Sequence, residues 1–320
     1  MLVEQITDTA GALSDPAAPV PSQRARDLVA GAYDLHVHVA PDVMKRRTDD
    51  LTLARRFAGA HLGGFVLKSH YVPTAERAEV VRNAVPGADV RGGIALNASV
   101  GGMNPAAVEI AARSGAAVVW LPTVDSVNER VSQARAPRDA APPQWAAIQA
   151  ELRDRGIRTD PVPVTGDDGR PTESLRQILA LVAEHGLLLA TGHLGAAEIL
   201  TVVTAARDQG IERIVVTHPE FTSQRLGADL QRELAARGAL LERCFTTPYT
   251  GKAGWATMFA NIRAAGPARS VLSSDLGQPF NPRVEDGIAL LADRLLAAGF
   301  TEPEVRAMAV TNSRRALGLE

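Results

Sequence analysis

Two histidines stand two residues apart in Tyr33-Asp-Leu-His36-Val-His38-Val-Ala-Pro-Asp42. On an extended strand, residues i and i+2 share a face, so both rings project to the same side and can offer adjacent ligands to one divalent ion. Further groups of this kind close other short apolar runs: Lys68 and His70 end Phe-Val-Leu-Lys-Ser-His, His193 ends Leu-Leu-Leu-Ala-Thr-Gly-His, His218 ends Ile-Val-Val-Thr-His, and Asp275 ends Val-Leu-Ser-Ser-Asp. Five of the seven histidines thus fall at strand-like ends. The other two, His61 and His185, fall at helix ends, where an imidazole favours the negative end of the helix dipole, and are assigned a structural role.

The elements that would bring these residues together alternate between short β-branched runs and longer helical patterns, which predicts βα units and a mostly parallel sheet. Strands are expected at Ala32-Val39, Gly64-Ser69, Val90-Leu96, Ala116-Pro122, Leu187-Thr191, Ile214-Thr217, Ala239-Phe245 and Ser270-Ser274. This is the number that a closed (β/α)₈ TIM barrel requires, and in such a barrel all C-terminal strand ends meet at one mouth. Helix starts are marked by Asp49-Asp50, Thr74 and Asn104-Pro105, and helix stops by Gly115, Gly210 and Gly238. The chain reads as a tail over 1-22 leading to a short helix at 23-30, and a single barrel domain over 23-320. An insertion at about 124-186 follows the fourth strand: a Pro-rich loop (RAPRDAAPPQ), a helix near 144-155, and an Asp-Asp-Gly turn that suggests a hairpin before the helix ESLRQILALVAEH. Long loops at a barrel mouth usually shape substrate access.

Composition narrows the class. The net charge of -2 comes without a basic stripe, which argues against nucleic acid or an anionic membrane and for a small-molecule substrate. No stretch is apolar for the length of a bilayer span and no signal peptide is evident, so a cytoplasmic protein is expected, with a homo-oligomer open. Cys244 is the lone cysteine, which excludes a disulfide framework and a Cys-x-x-Cys metal site, and it reads as a small apolar residue rather than a nucleophile. Of the 34 basic residues, only Lys45, Lys68 and Lys252 are lysines. An amine kept at an apolar strand end in so Arg-biased a chain can be neutralised, carboxylated or used as an acid, and a guanidinium cannot. The bland alternative is a structural ion pair of Lys68 with a carboxylate such as Asp42.

His-x-His after the first strand, single histidines after the fifth and sixth, and Asp after the eighth resemble the amidohydrolase superfamily of metal-dependent hydrolase barrels. The resemblance spans nearly the whole barrel, including the closing TNSRRALGLE. More narrowly, DLHVHVAPD with KSHYVPT and ATGHLG is similar to a poorly characterised amidohydrolase-like family of unknown substrate. The resemblance implies that His36, His38, His193 and Asp275 are metal ligands, and that His218 is either a ligand to a second metal or a group polarising the substrate. Lys68 departs from the pattern: in some branches a carboxylated lysine bridging two metals comes from the fourth strand, which here ends Trp-Leu-Pro-Thr-Val-Asp-Ser.

Such a site predicts a hydrolase of a C-N or C-O bond in a cyclic amide, lactone or ester. The ion, zinc by mild preference with Mn, Fe or Ni open and one or two ions allowed, would lower the pKa of bound water from 15.7 toward about 7. Asp275 would accept the proton and pass it on, and His218 would stabilise the oxyanion, with Lys68 a third catalytic candidate and a candidate ligand. His70 is read as a further ligand, a substrate donor or a supporting group; Arg46, Arg47 and Tyr249, with Tyr71 and Trp255 nearby, lie on mouth loops and could bind substrate. Asp34 shares the face of His36 and is read as part of the barrel interior or as an orienting group. Alternatives are a PHP-like phosphoesterase, which lacks its late Asp-x-His here, a metal-dependent decarboxylase or deaminase, and a non-catalytic metal- or ligand-binding barrel.

Overall fold

The computed structural model describes residues 19-136 and 143-319. Most of the tail, and residues 137-142 of the Pro-rich loop, lie outside these described residues. Eight parallel strands follow one another in sequence order: β1 (Tyr33–Val37), β2 (Gly64–Leu67), β3 (Asp89–Ala95), β4 (Ala116–Trp120), β5 (Leu188–Ala190), β6 (Ile214–Val216), β7 (Leu240–Cys244) and β8 (Ser270–Ser273). Closure of β8 onto β1 comes from the amide of His38 donating to Leu276 O (2.8 Å) and that of Asp275 to His36 O (2.9 Å). The fold is the (β/α)₈ barrel expected.

Side-chain alternation sets the two layers of the core. Val66, Val118, Trp120, Leu188, Ala190, Val215 and Val271 form one buried cluster to which strand after strand contributes, and that is the barrel interior. Their immediate neighbours Phe65 and Leu67, Val119, Leu189, Ile214 and Val216, and Leu272 pack outward on the helices. Lys68, two residues beyond Val66, therefore continues the inner face, as Asp275 does beyond Val271 and Ser273.

The helix boundaries follow local chemistry. Asp49 caps Asp50–Gly59 by accepting from Thr52 N at 2.8 Å, and Asn104 caps Pro105–Arg113. Gly115, Gly210 and Gly238 take positive φ, as left-handed stops require. Thr74 precedes Ala75–Ala84 but makes no cap bond. Its hydroxyl donates to Leu67 O and accepts from Gly93 N, so it fastens the end of β2 to β3 instead. The insertion contains Gln144–Asp154, the hairpin in which Gly166 N donates to Arg170 O (2.9 Å), and one helix not anticipated, Val127–Ala134.

Candidate metal centre

The five strand-end histidines form a closed circuit at the mouth. Ring centroids are separated by 5.2 Å (His36 to His38), 5.1 Å (His38 to His70), 6.0 Å (His70 to His193), 4.9 Å (His193 to His218) and 5.7 Å (His218 to His36). All five are at most 6% exposed. Asp275 Oδ1 lies 3.2 Å from Nε2 of both His36 and His38. Donor atoms at zinc-like bond lengths of about 2.0-2.1 Å stand roughly 3.0-3.4 Å from one another, so this trio fits the coordination sphere of one cation.

The backbone at the mouth supports the convergence. Asp275 and His218 are two of the few non-glycine residues with positive φ, 52° and 24°. Such conformers cost of order 1-3 kcal/mol each and persist only where surrounding bonds impose them. For Asp275 these are its amide bond to His36 O and the hydrogen bond from Thr246 Oγ1 to Oδ2 (2.9 Å). Gly192, at φ 61°, turns the chain directly before His193 where a Cβ would strike the carbonyls of Leu121 and Pro122.

Each ring is oriented through Nδ1. His36 Nδ1 faces Glu242 Oε2 (3.3 Å), His193 Nδ1 faces Glu129 Oε2 (3.0 Å), and His218 Nδ1 faces Gln224 Oε1 (2.9 Å). Gln224 is unambiguous as an acceptor there, because its Nε2 donates to the carbonyls of Gly192 and Thr217. An acceptor at Nδ1 holds the ring proton there and leaves the Nε2 lone pair for a metal. His38 differs: its Nδ1 has Arg46 Nη2 at 3.4 Å, a long contact beside the tighter Arg46–Asp42 pair (2.7 Å). Coordination by His38 Nε2 requires its proton on Nδ1, with that guanidinium contact given up.

Burial disfavours charge on the imidazoles, so His38, His70 and His218 are held well below the ordinary histidine range and His193 is also lowered. Burial would raise the Asp275 carboxyl, but the facing His36 and His38 outweigh it and hold it well below the usual carboxylate range. Neutral His38, His193 and His218 near an ionised Asp275 are the donor states a divalent cation needs.

Lys68 Nζ lies 2.9 Å from His36 Nε2 and 5.6 Å from the centre of the Trp120 ring. Burial lowers its amine from the ordinary lysine value, against the pull of Asp275 and Glu242. The Asp42 ion pair weighed from sequence is not its partner; Asp42 is taken by Arg46. Asp34 sits in the barrel wall, its Oδ1 accepting from the amides of His36 (3.1 Å) and Ser274 (3.0 Å). Arg47 donates to the carbonyls of Pro279 (3.0 Å) and Asn281 (2.8 Å), tying the β1 and β8 loops together. Tyr249 stacks on Phe245 with 38% of its surface exposed, and Trp255 packs on the same Phe245. His185 pairs with Glu109, and His61 takes the turn after its helix.

Sequence reasoning missed Glu129, Glu242, Gln224, Thr123 and Thr246. For Glu242 the signal was available: a carboxylate on the inner face of a strand, two residues before Cys244. A second trio of ligand type, His36, Glu242 and Cys244, lies on the other side of the His36 ring, where Glu242 acts through Nδ1.

The profile of a family of unknown function, DUF6282, matches residues 31–242, well over half of the chain. The chain belongs to that family. The match takes in every histidine of the circuit, with Lys68 and Glu242, while Asp275 lies beyond it. No curated protein matches this DUF6282 member in sequence. Solved structures share its fold: the probable dipeptidase PvdM from Pseudomonas aeruginosa (12% identity, TM-score 0.62, covering 92% of this chain and 97% of that one), an amidohydrolase from Pseudomonas aeruginosa (12%, 0.56, 92% and 98%), and a protein described as a 2-pyrone-4,6-dicarboxylic acid hydrolase from Pseudomonas putida (17%, 0.56, 91% and 98%). The (β/α)₈ barrel expected from the sequence is thus a fold shared with these solved structures. Among the described residues, no helix is long and apolar enough to cross a membrane.

Proposed function

We propose that this DUF6282 chain is a metal-dependent hydrolase that cleaves a C-N or C-O bond in a small molecule such as a cyclic amide, lactone or ester. The observation that carries it is the closed circuit of five buried imidazoles with Asp275 set against two of them. Barrel neighbours described as a dipeptidase and a pyrone dicarboxylic acid hydrolase support the reaction class. The burial of the site suits a small substrate, and a cytoplasmic setting completes the reading.

His36, His38 and Asp275 would hold a cation, His193 would join them, and His218 would either ligate a second cation or polarise the substrate, with zinc favoured by the imidazole-rich donor set. When bound, a divalent ion supplies Lewis acidity, polarising a carbonyl and acidifying water. The protein does the rest. Glu242, Glu129 and Gln224 keep three rings presenting Nε2. Thr246 occupies one acceptor position of Asp275 Oδ2, leaving a second at which the proton of the attacking water is taken up, a general-base contribution of about 10²–10⁴-fold. Lys68, beside His36, supplies either a further lone pair or a proton donor.

Elemental analysis of protein purified without added metal, followed by a lactone and cyclic-amide panel with and without chelator, tests the proposal. At least one equivalent of a transition metal and chelator-sensitive turnover are expected. Less than about half an equivalent, with no uptake on reconstitution, defeats it.

A further inference from the structure

The hydrogen-bond network behind His70 runs opposite to those behind His36, His193 and His218, and it begins at Asn97. This fully buried amide has its Oδ1 fixed by two backbone donors, Thr123 N (2.9 Å) and Asp125 N (3.2 Å). Its Nδ2 must therefore be the donor side, and it gives hydrogen bonds to His70 O (2.8 Å) and to Thr123 Oγ1 (2.7 Å). The Thr123 hydroxyl, also fully buried, already accepts from Asn97, and its remaining side-chain neighbour is His70 Nδ1 at 2.9 Å. If the hydroxyl accepted from both, its own proton would have no acceptor among the described residues, an orphaned donor on a fully buried side chain. It therefore donates to Nδ1. A neutral imidazole that accepts at Nδ1 carries its proton on Nε2.

We infer that His70 is a catalytic hydrogen-bond donor, its Nε2-H directed at a carbonyl oxygen of the substrate, and not a metal ligand. This rests on the hydrolase reading above. The contrast with three of its neighbours is the argument: Glu242, Glu129 and Gln224 place acceptors at Nδ1 and so leave Nε2 lone pairs, whereas Thr123 places a donor there at 2.9 Å and leaves an N-H. At His38 the donor at Nδ1 is only the long 3.4 Å contact of an Arg46 already paired with Asp42, which does not fix that ring's proton. His70 stands between His38 and His193 in the circuit, and its ring is hydrogen-bonded through Nδ1, on the Thr123 side. A fixed neutral donor beside a cation site is what a developing oxyanion needs, because the charge forms where the donor already points. The substrate class that follows is one whose reacting carbonyl oxygen can sit within hydrogen-bond reach of His70 while that carbonyl faces the cation.

The test is a long-range proton–nitrogen NMR correlation on zinc-loaded full-length protein with ¹⁵N-labelled histidine, together with zinc counts for His70→Gln and His193→Ala. The expected result is a protonated Nε2 and an unprotonated Nδ1 for His70, the reverse tautomer for His36, His193 and His218, and native zinc content in His70→Gln with loss in His193→Ala. A His70 protonated at Nδ1, or zinc lost on the His70 substitution, overturns the inference while leaving the hydrolase reading standing. Failure of the native protein to bind zinc or any other divalent ion overturns both.

Discussion

Glu129 Oε2 stands 3.0 Å from His193 Nδ1, and both side chains are 4% exposed. The carboxylate comes from Val127–Ala134, a helix at the start of the insertion, whose cap residue Ser126 and neighbour Asn128 also donate to the carbonyl of His193 (3.0 Å each). Asn128 reaches on to Ser223 O after β6, so one helix braces both loops that carry His193 and His218. The insertion therefore holds the site together as well as flanking its mouth. Burial would raise the Glu129 carboxyl, but the bond to His193 keeps it below the ordinary value, and it stays ionised beside the ring.

Replacing Glu129 by Gln keeps the shape and removes the charge that makes His193 a stronger base. Metal affinity should fall about 10-100-fold, the usual cost of losing a carboxylate behind a ligating imidazole. Competition against a chromophoric chelator reads it directly, and native affinity in the variant would show that Glu129 only fills space.

Asp275→Asn should retain the barrel, because Thr246 can still donate to a side-chain oxygen, yet it loses the proton-accepting carboxylate. Turnover on any substrate found should drop by at least about 10²–10⁴-fold with an unchanged far-UV spectrum. Substantial residual activity would move the general-base role elsewhere.

Asp34 offers a prediction about pH. Burial raises its carboxyl to about 7 despite the hydrogen bonds from Ser274 and His36, and its Oδ2 has no partner. The folded chain thus holds this proton more tightly than the unfolded one, whose Asp titrates near 3.9. The associated stability is complete below about pH 4 and is lost as pH rises to 7. In metal-free protein, Asp34→Asn should flatten this part of the stability profile and raise the melting temperature at pH 8 relative to native. An equal shift at pH 5 and pH 8 would rule the titration out as the cause.

Arg243, on the outward face of β7, is fully buried and pairs with Glu220, two residues after His218, with Gln231 and Asn261 completing the cluster. Arg243→Met strands the Glu220 charge and should cost about 3-5 kcal/mol. Adding Glu220→Gln should recover part of that loss in a denaturant melt. Absence of recovery would mean that packing, not the ion pair, accounts for the cost.

The amino-acid order by itself determined the strands, their inward and outward faces, and the placing of ligand-type residues at C-terminal strand ends. Period-two alternation and glycine stops are local properties that the backbone enforces wherever they occur. His36, His38, His193, His218 and Asp275 were legible because barrel closure gathers strand ends whatever their separation in sequence. The tertiary structure alone decided what each group does there. Glu242 and Glu129 meet their histidines across 206 and 64 residues, Arg47 is spent on loop carbonyls, and Lys68 lies against His36 rather than Asp42. The placement of the ring proton in His70 hangs on an amide contributed by another strand end. A hydrogen bond's direction depends on what its partner already accepts or donates, and that chain of partners exists only once the strands are side by side.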